Sequence, residues 1–337
     1  MRITLALCCL SLAILSCNNG VKAPDVSGIR IELHTERFDQ SLFTLDTMNL
    51  GAGLKALQGK YPSFTPIFLG TILNCDPGWT ADTTAAYVRG FIGVYRQVYD
   101  TAQVVFRDFG PYEKEIAKAL QYLKYYFPEY TAPKKLITYI GPLDGYGDII
   151  SDDEILIGLH QHLGAGFSLY KSTLVQETYP EYISRRFTPD YIAINCMKNA
   201  IDRLYPEKME EKPLVQQMVE KGKRLYVLSK LVPKAEDYQL IGYTQEQMTG
   251  MYDHERAVWD LFVKNNFLQT IDNNIIKNYI AEGPKTQELG EAAPGNVGSF
   301  AGWQIVKKFM KEHPGYSLKK LMEANPETLF QEAKYKP

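Results

Sequence analysis

The sequence predicts an α+β protein, rich in helix, with a small β-sheet near its N-terminal half. Three observations carry that reading. Long stretches repeat their apolar residues every three or four positions. Short strand-like segments are confined to the first half. Composition is that of a folded globular chain, 45% hydrophobic and 23% charged over 337 residues. Without repeats or low-complexity tracts, this length suffices for one large domain or two small ones.

Residues 1–16 read as a signal peptide. Arg2 precedes an apolar run from Ile3 to Leu15, shorter than the roughly 20 residues that span a bilayer. Ile14-Leu15-Ser16-Cys17 fits a lipobox, with the small Ser16 before the cut and Leu15 an imperfect match. Cleavage would leave Cys17 carrying acyl chains such as palmitate. Two or more chains, at roughly 0.8 kcal/mol per buried methylene, hold a soluble domain on a membrane. Residues 17–28, with Gly20, Pro24 and Gly28, read as a flexible tether, and 29–337 as a single domain. Asn18-Asn19-Gly20 carries no acidic cluster, so the expected location is the cell envelope, facing the periplasm. A net charge of −2 without basic clusters gives no reason to expect nucleic acid as a partner.

Strict alternation from Ile29 to His34 predicts a half-buried strand. Helical spacing follows over Tyr87–Tyr99 and Tyr112–Phe127, the second stopped by Pro128. Leu136–Ile140 and Glu154–Leu159 read as strands, joined through a hairpin-like loop at Asp144-Gly145-Tyr146-Gly147-Asp148. Thr188-Pro189 offers an N-cap and first-turn proline to a helix striped with Ile194, Met197, Ile201 and Leu204. Leu214–Leu231 is a second helix. Thr244-x-x-Gln247 is a capping box for a third, striped with Met248, Met251, Val258, Trp259 and Phe262. A fourth runs from about Ser299 to Lys311.

Few residues suggest chemistry by themselves. His160-x-His162 follows a strand and could share a metal, but a zinc site needs further ligands, and surface or strand-end histidines explain the pair more simply. Asp144, Asp148, Asp152, Asp153 and Glu154 lack the ligand spacing of a calcium loop and read as a solvated turn. Asp253-His254-Glu255-Arg256 lacks a second histidine, since position 258 is Val258. Cys75 and Cys196 are expected to be separate and buried. No nucleophile elbow, Walker loop or dinucleotide fingerprint occurs.

The later motifs have a recognisable order. Gly222-Lys223-Arg224-Leu225-Tyr226, Ile241-Gly242-Tyr243-Thr244-x-x-Gln247, Glu255-x-x-x-Trp259, Gly283-Pro284-Lys285-Thr286 and Pro294 through Val306 succeed one another. Arg37 to Phe43 precedes them and Lys334-Tyr335-Lys336-Pro337 closes the chain. In these features the chain resembles the gliding motility lipoprotein GldB family over its whole mature length. Proteins similar to that family include zinc peptidases with a His-Glu-x-x-His helix, a downstream Glu-Gly and a Pro-Gly-x-x-Gly-x-x-x-Gly element. Aligned on that pattern, Asn195 and Asn199 stand in place of the histidines, Cys196 in place of the glutamate base, and Glu220 near the third ligand. The resemblance thus implies a zincin-like scaffold with a degenerate metal motif, holding no metal or other cofactor. It further implies a pseudo-peptidase that binds envelope proteins of the gliding and secretion machinery. A metallohydrolase using His160, His162 and Glu220 is the alternative. Pro294, Gly295, Gly298, Gly302 and Trp303 suit a turn and a closely packed helix face, or close approach to a bound peptide.

Overall fold

The computed structural model describes residues 23–337 apart from Asp152 and Glu210. The signal peptide and Cys17 lie outside that range. Among the described residues four strands form one sheet: β1 (His34–Arg37), β2 (Lys135–Tyr139), β3 (Ile149–Ile150) and β4 (Glu154–Gly158), in the order β1-β2-β4-β3. The helices of eight residues or more are α1 (Leu50–Lys60), α2 (Ala81–Val94), α3 (Arg96–Val105), α4 (Gly110–Tyr126), α5 (Ile192–Leu204), α6 (Leu214–Leu231), α7 (Gln245–Asp253), α8 (Glu255–Lys264), α9 (Asn273–Ile280), α10 (Val297–Glu312) and α11 (Pro326–Ala333). The fold is α+β and helix-rich, as its apolar periodicity predicts.

Several elements depart from the sequence reading. The first strand begins at His34, five residues later than the alternation suggests. Its ladder starts only where β2 is available, with His34 opposite Lys135, and side-chain alternation alone supplies no partner for the backbone. The tether is docked by residue 26, since Val26 is 1% exposed within the core. The stretch Tyr87–Tyr99 breaks at Tyr95, between α2 and α3. The helix begun at Thr244 breaks at His254, which lets α8 turn Trp259 onto Tyr335, ring centroids 5.0 Å apart. Thr188 makes no cap bond, and Pro189 opens a short 3-10 turn before α5.

The largest correction concerns the loop between β2 and β4. These strands are parallel, with Leu136 opposite Ile155 and Tyr139 opposite Gly158. Residues 140–153 therefore form a crossover, not a hairpin, and their length fits the dozen or so residues a parallel connection needs. Within the crossover, β3 adds an antiparallel edge to β4 and contacts α5. Crossover and helix are thereby brought face to face.

The N-terminal motif is explained by packing. Arg37 grips Asp39 with two hydrogen bonds of 2.9 and 2.7 Å, and Asp39 accepts further bonds from Thr138 on β2 at 2.5 Å and Gln103 on α3 at 3.0 Å. Asp39 is fully buried, so this guanidinium is what makes its charge tolerable. Phe38 beside it packs edge-on to Phe64 at 4.7 Å. Elsewhere α6 and α10 form the densest helix pair.

Candidate functional site

On α5, Ile194, Met197 and Ile201 enter the core with Cys196. Asn195 and Asn199, four apart, share the face turned to the crossover. Asn195 Nδ2 donates to Asp148 Oδ2 at 3.1 Å, and Asn199 Nδ2 donates to the Asp148 backbone oxygen at 2.8 Å. The same carboxylate lies 2.8 Å from His162 Nε2 and accepts the Gly158 N–H at 3.2 Å. His162 Nδ1 faces the Thr188 carbonyl at 3.1 Å. With acceptors at both ring nitrogens, His162 is an imidazolium donating to each. Burial opposes that charge. The Asp148 carboxylate and the Thr188 carbonyl more than offset it and hold the pKa above the ordinary histidine value. Side-chain exposures of 1% and 2% make this a dry ion pair.

Neighbouring groups immobilise the loop. Tyr139 OH donates to the Tyr146 carbonyl at 2.8 Å, while Gln161 Nε2 and Tyr179 OH donate to that of Gly145 at 2.9 and 2.7 Å. A Cβ on Gly147 would sit 2.2 Å from Gln161 Oε1 and would push that amide off the Gly145 carbonyl. The arrangement clamps the chain's own loop onto the helix face where the resemblance places a metal.

Other expectations need correction. The acidic stretch is a solvated turn only in part: Asp153 is exposed, but the Asp148 side chain is buried, and Glu154 is 5% exposed and accepts a hydrogen bond from Ser63. His160 and His162 follow β4 but are not at the surface, being 0% and 1% exposed. They also serve different partners. His160 Nδ1 accepts the Gly141 N–H at 3.0 Å, which puts its proton on Nε2. Burial, aided by His162, pushes its pKa down to about 3, so it stays neutral. Glu220 meets neither histidine; it pairs with Lys212 at 3.3 Å and Lys223 at 2.9 Å. Lys223 in turn donates to the Met322 and Ala324 carbonyls, both at 3.0 Å, closing the end of the short helix Leu318–Glu323. Among the described residues, no three His, Cys, Asp or Glu side chains converge as a ligand set. Cys196 and Cys75 are free and buried, as expected. Burial first, then Asp148, drives the Cys196 thiol well above its usual pKa, so it is a poor nucleophile.

The glycine element serves packing. A Cβ on Gly302 would lie 1.7 Å from the Met218 carbonyl oxygen, and one on Gly222 would lie 2.2 Å from that of Gly302. α6 and α10 therefore touch backbone to backbone. Gly298 approaches Tyr279 O and Gly295 approaches Gly283 O, at 2.9 and 2.6 Å for an added Cβ. The Pro294 carbonyl accepts the Thr286 hydroxyl at 2.7 Å. Trp303 is fully buried, with Lys307 Nζ 3.8 Å from its ring centroid. Successive motifs of the C-terminal third thus meet one another.

The sequence does not set Asp148 apart from the acids around it. The signal for it is indirect: two amides four apart on a helix whose other residues include buried Ile194, Cys196 and Met197 need polar partners. The family model described as "Gliding motility protein GldB" matches residues 19–337. No curated protein matches the chain, and no solved structure does.

Proposed function

Because the chain belongs to the GldB family of gliding motility lipoproteins, we propose that it is a non-catalytic binding scaffold, tethered through acylated Cys17 and facing the periplasm. Its partners are envelope proteins of the gliding and secretion machinery. The observation that carries the non-catalytic reading is the occupation of the α5 face. Asn195 and Asn199 spend their amides on Asp148, while Glu220 is engaged by two lysines. Neutral amides are poor zinc ligands, and the carboxylate beside them, that of Asp148, is held by His162 and the Gly158 N–H instead of being free to activate a metal-bound water. For the tether, the support is the lipobox at Cys17. No described helix is long and apolar enough to cross a membrane.

Complementation tests this reading. In a gliding host lacking the gene, the native copy should fractionate with membranes and restore spreading. A Cys17→Ala copy should appear in the soluble fraction and fail to restore it. Restoration of spreading by the soluble Cys17→Ala chain would refute the role of the tether.

A further inference from the structure

A half-open cavity of about 260 Å³ lies at the N-terminal end of α10, between α5 and α6. The Asp148 cluster takes no part in it. Three features of its lining are unused by the fold. Ser299, in the first turn of α10, is 2% exposed, and its hydroxyl has no hydrogen-bond partner. Asn296 precedes the helix with φ 60°, leaves it without a side-chain cap, and presents a buried Oδ1 that is likewise unpartnered. Lys198, on α5, forms no ion pair within 4 Å among the described residues.

Charge counting locates the surplus. Glu282 is bound by Arg186 at 2.9 Å, Glu207 by Lys221 at 2.8 Å, and Asp202 by Arg224 at 2.6 Å. Each carboxylate at the cavity thus has its own cation, and Lys198 is left over. Desolvation and the nearby Arg186 push its amine down to about 8, against the pull of Glu282 and Asp202, and a bound anion would raise it again. One surplus cation beside three carboxylates suits a monoanion and disfavours a phosphate dianion. The positive end of a sixteen-residue helix adds to the same preference. The rest of the wall is apolar, including Leu225, Leu240 and Ile241.

We propose that this cavity binds the C-terminal residue of a peptide. Lys198 and the Ser299 hydroxyl hold the carboxylate at the head of α10, Asn296 Oδ1 accepts the last peptide N–H, and an apolar side chain lies against Leu225 and Ile241. The volume admits about one residue of that kind. This deepens the scaffold reading and rests on it, by naming the chemistry of a partner's end.

The test uses the full chain in detergent, titrated by calorimetry with acetyl-Ala-Ala-Leu as the free acid and as the C-terminal amide. The acid should bind at least about tenfold tighter, the worth of one charge-assisted hydrogen bond. Lys198→Met and Ser299→Ala should each weaken the acid about tenfold and leave the amide unchanged. Competition by N-acetyl-leucine would support the assignment. Equal binding of acid and amide, unchanged acid binding in both variants, or a preference for inorganic phosphate would overturn it. Should Lys198→Met fail to fold by circular dichroism, Ser299→Ala and the acid–amide comparison in the native chain still decide. Failure here with Lys198→Met still restoring spreading removes the site and leaves the scaffold. Cleavage of the peptide during titration would remove the non-catalytic scaffold and leave the site.

Discussion

Replacing Gly302 with alanine should cost the protein more than any other single methyl group. The added Cβ would sit 1.7 Å from the Met218 carbonyl oxygen and 2.3 Å from its carbon. Carbon–oxygen contacts close to about 3.3 Å, so α6 and α10 must part by about 1.5 Å. Neither atom it meets can rotate away, because both belong to a helix backbone. Separation opens the seam around Met218, Val219, Trp303 and Val306, all fully buried. A gap of even 1 Å forfeits up to about half of each dispersion contact. Overpacking typically costs about 1–3 kcal/mol, and a backbone-to-backbone clash places Gly302→Ala at the top of that range or above. Against a total stability of about 5–15 kcal/mol, the melting temperature should fall by about 4 °C or more. Gly250→Ala is the matched control. It lies inside α7 with no atom within 4 Å of the added Cβ, and should stabilise by about 0.5–1 kcal/mol through helix propensity. Urea unfolding followed by tryptophan fluorescence measures both. A Gly302→Ala protein within about 0.5 kcal/mol of the parent would refute the reasoning.

Three further outcomes follow from the buried polar cluster. Asp148→Ala strips His162 of its counter-charge and two asparagines of shared contacts, and should cost about 3–5 kcal/mol in urea unfolding. His160 has a folded pKa lowered to about 3 from 6.5. Its stabilising contribution is therefore full above pH 6.5 and lost as pH falls toward 3, a loss of about 2 kcal/mol by pH 5. His160→Gln should flatten that acid limb even if it lowers stability at pH 7. His162 has the opposite sign. Its raised pKa contributes stability that is full below pH 6.5 and lost as pH rises through the folded value, so Asp148→Asn should flatten the alkaline side near neutrality.

The legible parts of the fold are those with local causes. Leu214–Leu231 forms α6 between those residues because its stripe is unbroken and Pro213 precedes it. The capping box predicted at Thr244 and Gln247 forms with both reciprocal bonds. What the sequence hides is set by distant partners. Gly141-Pro142 and Gly145 look like hairpin punctuation, yet whether β4 returns beside β2 parallel or antiparallel depends on where the crossover can pack. Among the groups it packs against are Asn195 and Asn199, some fifty residues on. The burial of Asp148 is invisible for the same reason, since only Gly158, His162 and α5 together make the charge tolerable. The break at Tyr95 follows Gly93 by two residues, a weak signal inside a continuous apolar spacing; the break at His254 has no Gly or Pro next to it, and tertiary packing overrides helical spacing there. The glycines at 298 and 302 were legible as a bare helix face, while the partner that needs it bare, the Met218 carbonyl, was not.

If this scaffold binds without catalysing, metal content and hydrolysis on the purified full chain will show it. Purification without chelator should then leave well under one zinc per chain, and an unstructured protein substrate should stay uncleaved. One zinc per chain, together with cleavage that disappears in Asp148→Asn or His162→Gln, would contradict it.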